Sequence, residues 1–412
     1  MSEASLILTR LENGLTVVSE RMPEVATASV GVYVGAGSRH ERADEHGLCH
    51  LIEHMAFKGT ARRSARDIAV EIENVGGDIN AATSVEYTVY TARSLGQDLP
   101  LALDILGDIL VNSAFAPEEL ERERNVILQE IAGVEDTPDD LVNDLFLEAA
   151  FPDCALGRPI LGRPDTVRAF TPDAIRGFMA RRYVPNRMVL AAAGAVDHGA
   201  LVETARGLFG DLPAAEPETD EPALYRGGET RLERDLEQAN LVLGFPGVSF
   251  RDPRHYALQL FTQILGGGLS SRLWQEVREN RGLAYAGDAF HWPFSDCGVF
   301  GIGAGTAEED VAALVDLSLE TLRDTAATAD AAELARAKAQ MKVGLLSALE
   351  SSGGRIDRLA RQILAFDRVI PASEIVSRID AVTLDEVRAA GAALLTARPS
   401  LAAIGPIKGL PE

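Results

Sequence analysis

What this 412-residue chain lacks narrows it first. It holds three cysteines, Cys49, Cys154 and Cys297, an odd and widely spaced set. That argues against a disulfide framework and a CxxC thiolate metal site, and it fits a reducing compartment. No window supplies the roughly 18 consecutive apolar residues of a membrane span, so no membrane partner is expected. The amino terminus, MSEASLILTRLENGLTVVSE, has no basic stretch leading into an apolar one, and it lacks the Arg/Ser-rich, acid-poor character of a transit peptide. A cytoplasmic protein is expected. Basic residues are scarce, 39 Lys and Arg against 62 Asp and Glu, for a net charge of −23. Such a surface repels a phosphate backbone, so nucleic acid is not an expected partner. A basic peptide would be attracted, although solubility alone explains the same charge.

What is present describes a soluble globular protein, with 46% hydrophobic and 25% charged residues. The length exceeds what one ordinary core serves, and two domains of about 200 residues are expected. The stretch AAEPETDEPALYRGGE, with its prolines, acids and Gly-Gly, reads as a linker at 214–228 between domains 1–213 and 229–412. The halves echo each other at an offset of about 210 positions. ASVGVYVG at 28–35 answers to ANLVLGFP at 239–246, and the hairpin pattern at 76–94 to that at 286–305. PEELERERNVILQEI answers to AAELARAKAQMKVGL, and the helix N-caps Thr171 and Thr383 each precede a helix and a strand. We therefore expect an α+β fold: two similar α/β-sandwich domains, each a mostly antiparallel sheet flanked by helices.

One segment, GLCHLIEHMAFKGT at 47–60, carries ionisable groups on a helical apolar pattern. His50 and His54 are one turn apart and share a face, so both imidazoles can reach one ion at about 2.0–2.1 Å. Glu53 lies beside them, within reach of a water at that ion. This is the inverted HxxEH arrangement of a zinc site. The repeat sets Gln259, Thr262 and Gln263 against His50, Glu53 and His54, so the fold does not require the ionisable set. A third ligand is needed, and spacing alone leaves it open. Glu130 follows the apolar run NVIL and shares a helix face with Glu123, which makes it a candidate beside the reading of a surface acid.

HLIEHMAFKGT, GGDINAATSVEYTVY and a glutamate 76 positions beyond His54 together resemble the short form of the pitrilysin/insulinase family of zinc peptidases, which includes mitochondrial processing peptidase. The resemblance spans nearly the whole chain. It implies one zinc ion per chain held by His50, His54 and Glu130, with Glu123 supporting the site and Glu53 as general base for a zinc-activated water. It implies that Asn80 and Ala81, on an edge strand, pair with the substrate backbone, which favours extended, unstructured peptides. In the second half, GGGLSSRLWQEVRENRGLAY at 266–285 carries Arg278 and Tyr285. Read alone, these are a solvated arginine and a packing tyrosine; the resemblance implies an oxyanion donor, Tyr285, with Arg278 holding substrate or positioning the tyrosine. A chain this short is then expected to work as a homodimer, each zinc receiving Arg278 and Tyr285 from the partner, and to cleave short peptides in a closed chamber. The alternatives are a catalytic subunit paired with a related, zinc-free chain, and a non-catalytic core subunit of the same fold. Both are disfavoured by the retained residues. Manganese or cobalt would also suit His and carboxylate ligands.

Overall fold

A computed structural model of the chain describes residues 6–216 and 218–410. These residues form two compact units, each built on one sheet. The first sheet contains β1 (Leu6–Arg10), β2 (Thr16–Arg21), β3 (Thr27–Val34), β4 (Asp78–Thr83), β5 (Thr88–Leu95) and β6 (Met188–Gly194), in the spatial order β1-β2-β6-β3-β5-β4. Only the β2–β6 pair is parallel. The second sheet contains β7 (Glu229–Glu233), β8 (Ala239–Pro246), β9 (Ala284–Pro293), β10 (Gly298–Thr306) and β11 (Ser400–Gly405), in the order β7-β11-β8-β10-β9. Its one parallel pair is β7–β11. Strand for strand this repeats β2-β6-β3-β5-β4, with β1 added at one edge of the first copy.

The central strands are apolar along their whole length because both faces of the sheet are covered. On one face of the first sheet, Val30, Val32, Val34, Leu190 and Ala192 join the core formed with the helices Leu48–Ala56 and Leu99–Val111. On the other face, Val18, Tyr33, Val189, Ala191 and Ala193 pack with Ile356, Leu359, Ala360 and Ile363 of the helix Ser352–Phe366. The edge strand β4 has no buried residue, as a half-solvated edge should.

That last helix comes from the second half of the sequence. The first unit draws on residues up to Ile131, on Pro159–Glu221 and on Leu346–Ile370; the second takes Ala132–Arg158, Pro222–Leu345 and the chain from Pro371. In the second unit the helix Pro138–Ala150 lies on its sheet, with Phe146 seated over Gly244, where any Cβ would meet the ring at 2.3 Å. The contiguous division at 214–228 therefore locates the sheets, while each unit takes one helix from the other half. The linker is also less free than its composition suggests. Asp220 pairs with Arg182 and Arg187 at 2.8 Å each, and Glu218 with Arg42 at 2.7 Å, holding this acidic stretch to the first unit.

Candidate metal centre

The helix Leu48–Ala56 places Leu48, Cys49, Leu51, Ile52, Met55 and Ala56 in the core, so His50, Glu53 and His54 fall on the opposite face. Its start is anchored from outside the helix. Gly47 takes φ 95° and lies against Gly162, leaving no side chain to cap the first turn. The buried carboxylate of Glu41 accepts the N–H of Gly47 at 2.9 Å and of Cys49 at 2.6 Å instead. A negative group at a helix N-terminus satisfies orphan donors and complements the macrodipole.

The helix Pro117–Glu135 crosses this face with Leu120, Glu123, Ile127 and Ile131 buried. It brings Glu130 to the histidines. Glu130 Oε2 lies 3.7 Å from His50 Nε2 and 3.6 Å from His54 Nε2, and one ligand atom from each of the three residues falls within 4.8 Å of the others. Tetrahedral zinc with bonds of about 2.0–2.1 Å keeps its ligand atoms about 3.4 Å apart, so the set is spaced for one ion. Glu130 Oε2 is buried and, among the described residues, accepts no hydrogen bond. A buried carboxylate oxygen left without a donor is costly unless a cation completes it. His50 is titrated down to about 4 by its burial and by the neighbouring His54, so its imidazole is neutral at pH 7, as a ligand must be.

His54 is oriented from behind. Its Nδ1 donates to Glu123 Oε2 at 3.1 Å, which leaves Nε2 as the lone-pair nitrogen facing Glu130. The other oxygen of Glu123, a residue only 5% exposed, receives Lys58 Nζ at 2.6 Å. Glu53 makes a different contact: its Oε2 accepts the hydroxyl of Thr83 at 2.5 Å. Thr83 ends β4, the strand that carries Asn80 and Ala81. On that strand the Ala81 N–H donates to the Asn80 side chain at 2.9 Å. Lys58, Thr83 and Glu41 were not singled out from the sequence. Lys58 follows His54 at i+4 and was visible in principle; the other two reach the site only through tertiary contact.

Residues 16–164 match the insulinase family, peptidase family M16, and residues 169–341 match its companion, the peptidase M16 inactive domain. An uncharacterized zinc protease of Streptomyces coelicolor is 42% identical, the match covering 97% of this chain and 89% of that protein. The zinc protease YmxG of Bacillus subtilis is 37% identical over 97% of this chain and 98% of its own. The chain belongs to the M16 family. The peptidase M16 inactive domain structure from Pseudomonas fluorescens superposes with a TM-score of 0.90, covering 97% of this chain and 98% of that one; at 22% identity it speaks for the fold alone.

In this M16 chain His50, Glu53, His54, Glu123 and Glu130 all lie within the first matched segment, and Arg278 and Tyr285 within the second. In the second unit Thr262 is buried and bonds back to the Leu258 carbonyl at 2.8 Å. Gln263, which the repeat sets against His54, donates to Gln340 at 3.1 Å, and Gly344 stands where the repeat puts Glu130. Ala337 is the buried counterpart of Glu123, and nearby Glu333 pairs with Arg272 at 2.7 Å. With glutamines at the two histidine positions and no side chain at that of Glu130, the second copy keeps the helix pair without the ligand set. Arg278 sits in the π-helical turn Gln275–Asn280 and Tyr285 on β9, the guanidinium 4.6 Å from the ring. Gly266 and Gly267 serve close packing, against Ala289 and the Gln263 side chain respectively.

Proposed function

We propose that this protein is a zinc-dependent endopeptidase that cleaves short, unstructured peptides. The observation that carries this reading is the convergence of His50 Nε2, His54 Nε2 and the orphaned Glu130 Oε2 on one point. When bound there, zinc supplies Lewis acidity and lowers the pKa of its water toward 7. The chain's own groups do the rest. Glu123 fixes the tautomer of His54, and Lys58 pairs with the other oxygen of Glu123. Glu53 is the one carboxylate on the helix Leu48–Ala56. It takes a proton from the attacking water and returns it to the leaving amine, with Thr83 holding the carboxylate in place. The open edge of β4 offers backbone groups at Asn80 and Ala81 to an extended peptide, once the Asn80 side chain releases the Ala81 N–H.

Tyr285 and Arg278 complete the reading as donors to the developing oxyanion and to substrate. Their exposure and unspent hydrogen-bonding groups support that role, and we assign them to act across a homodimer. The free cysteines support a reducing, cytoplasmic setting. The test is metal analysis with hydrolysis of an unstructured peptide by wild type, Glu53→Gln and Glu130→Gln. One metal ion per wild-type chain and activity lost in Glu53→Gln are expected. A metal-free, inactive wild type would overturn the proposal.

A further inference from the structure

The second unit contains a stack of three side chains that the peptidase reading does not use in full. The Arg278 guanidinium carbon lies 4.5 Å from the centroid of the Trp274 ring and 4.6 Å from that of Tyr285, so the cation is held between two aromatic faces. The hydrogen-bonding edge of that cation is unspent. Among the described residues Arg278 donates no hydrogen bond, and its nearest carboxylate, Glu279, stays 3.9 Å away. In a chain this acidic, most other arginines are in ion pairs or bonded to carbonyls. Tyr285 is likewise unspent, and at 78% it is the most exposed large apolar or aromatic side chain described. Among the described residues, the ring contact of this exposed tyrosine is the stacked Arg278 guanidinium.

The backbone is adapted to the stack. Residues Gln275–Asn280 form a π-helical turn, and beyond it the Leu283 N–H reaches back to the Val277 carbonyl at 2.9 Å. π-turns are rare, and they are frequent at functional sites because one added residue re-aims the side chains around it. Here the turn begins directly after Trp274 and contains Arg278, and the chain then leads into β9, where Tyr285 is the second residue.

We propose that Trp274 is a positioning residue: it clamps the Arg278 guanidinium flat against Tyr285, so that the N–H edge of the one and the hydroxyl of the other face outward as a fixed pair. Stacking occupies the faces of a guanidinium and leaves its five N–H groups free in the plane, a geometry suited to a carbonyl or carboxylate acceptor. Trp274 touches neither substrate nor metal; it acts through Arg278. The inference rests on the peptidase reading for its activity readout, and on geometry alone for its structural one.

The structural test uses fluorescence. Trp274 and Trp292 are the two tryptophans, so a Trp292→Phe background isolates Trp274. Arg278→Ala should then increase acrylamide quenching of Trp274 by uncovering one ring face, whereas unchanged quenching would overturn the stack. The kinetic test compares Trp274→Ala with Trp274→Phe in the metal-loaded protein on an unstructured peptide. Trp274→Ala should lose on the order of 10-fold in kcat, as expected for a cation–π clamp, with KM within about 2-fold and Tm unchanged. Trp274→Phe, which restores an aromatic face, should recover most of it. Wild-type kcat in Trp274→Ala would overturn the proposal. So would wild-type kcat in Tyr285→Phe, because there would then be no pair to position. Undiminished activity in Glu53→Gln would instead bring down the peptidase reading itself, and the quenching result would stand apart from it.

Discussion

Glu130 and Glu123 lie two helical turns apart on one helix, yet they do different work. Glu130 presents a buried oxygen without a donor, whereas both oxygens of Glu123 are engaged, by His54 and by Lys58. Glu130→Gln should therefore abolish metal retention, read as metal per chain after dialysis. Glu123→Gln should keep the metal but bind it about 10–100-fold more weakly, as loss of a ligand's supporting partner does, read by competition with a chelator. Glu53→Gln should retain metal fully and lose about 10²–10⁴-fold in peptide hydrolysis, the share of a general base.

A second pair of histidines carries a pH signature. His255 and His291 are buried in the second unit, and burial lowers each to about 4, with an Nδ1 lacking any partner. Their ordinary value is 6.5, so between about 6.5 and 4 the unfolded chain binds protons that the folded one does not, and stability falls as the pH drops through that window. The full contribution is present above 6.5, on the order of 3 kcal/mol for each residue. His255→Leu removes one of these titrations. Its Tm should fall less steeply than that of wild type over the window, the two curves differing in drop by roughly 2–5 °C by calorimetry.

The metal helix and the π-turn differ in how far a sequence can disclose them. The helix Leu48–Ala56 was legible because apolar positions at helical spacing leave His50, Glu53 and His54 on one face, and that rule is local. Its cap was not legible, since Glu41 reaches Gly47 and Cys49 through a loop of no regular period. Glu41→Ala would leave two buried helix donors without an acceptor and should cost about 3 kcal/mol, measured by denaturant unfolding. The third ligand was left open by spacing and singled out by family resemblance; the structure brings Glu130 to the histidines because Ile127 and Ile131 seat its helix in the core. The π-turn was invisible to a search for 3.6-residue periodicity. So Arg278 and Tyr285 were named while Trp274, which stacks on the same guanidinium, was passed over. The tandem architecture read correctly, as two sheets of matching order, for a simpler reason: the alternation of strands and helices repeats in sequence.

At the scale of the whole molecule, strand and helix patterns say where elements are and nothing about which sheet each helix will cover. That is why the helices Pro138–Ala150 and Ser352–Phe366 were assigned to their own halves. For a functional dimer the expected outcome is complementation: Glu53→Gln and Tyr285→Phe chains, each inactive, should regain activity when mixed under conditions of subunit exchange. No recovery would rule out donation of Tyr285 in trans. The helix exchange gives a separate expectation. A fragment of residues 1–213 lacks the helix Ser352–Phe366 and leaves Val18, Tyr33, Val189, Ala191 and Ala193 bare. Alone it should aggregate, and co-expression with the rest of the chain should keep it soluble.

The same exchange sets an order of events at the ribosome. A chain emerging at about 5–20 residues per second usually completes its first domain before the next is made. Here the strands of the first sheet and the helices carrying His50, His54 and Glu130 are out by Glu221, but the helix that seals the back of that sheet ends only at Phe366. The intervening 366 − 221 = 145 residues take roughly 7–30 s to synthesise. For that interval the nascent protein carries a nearly finished first sheet with an open apolar face, and its fate depends on what shields that face until the last helix arrives.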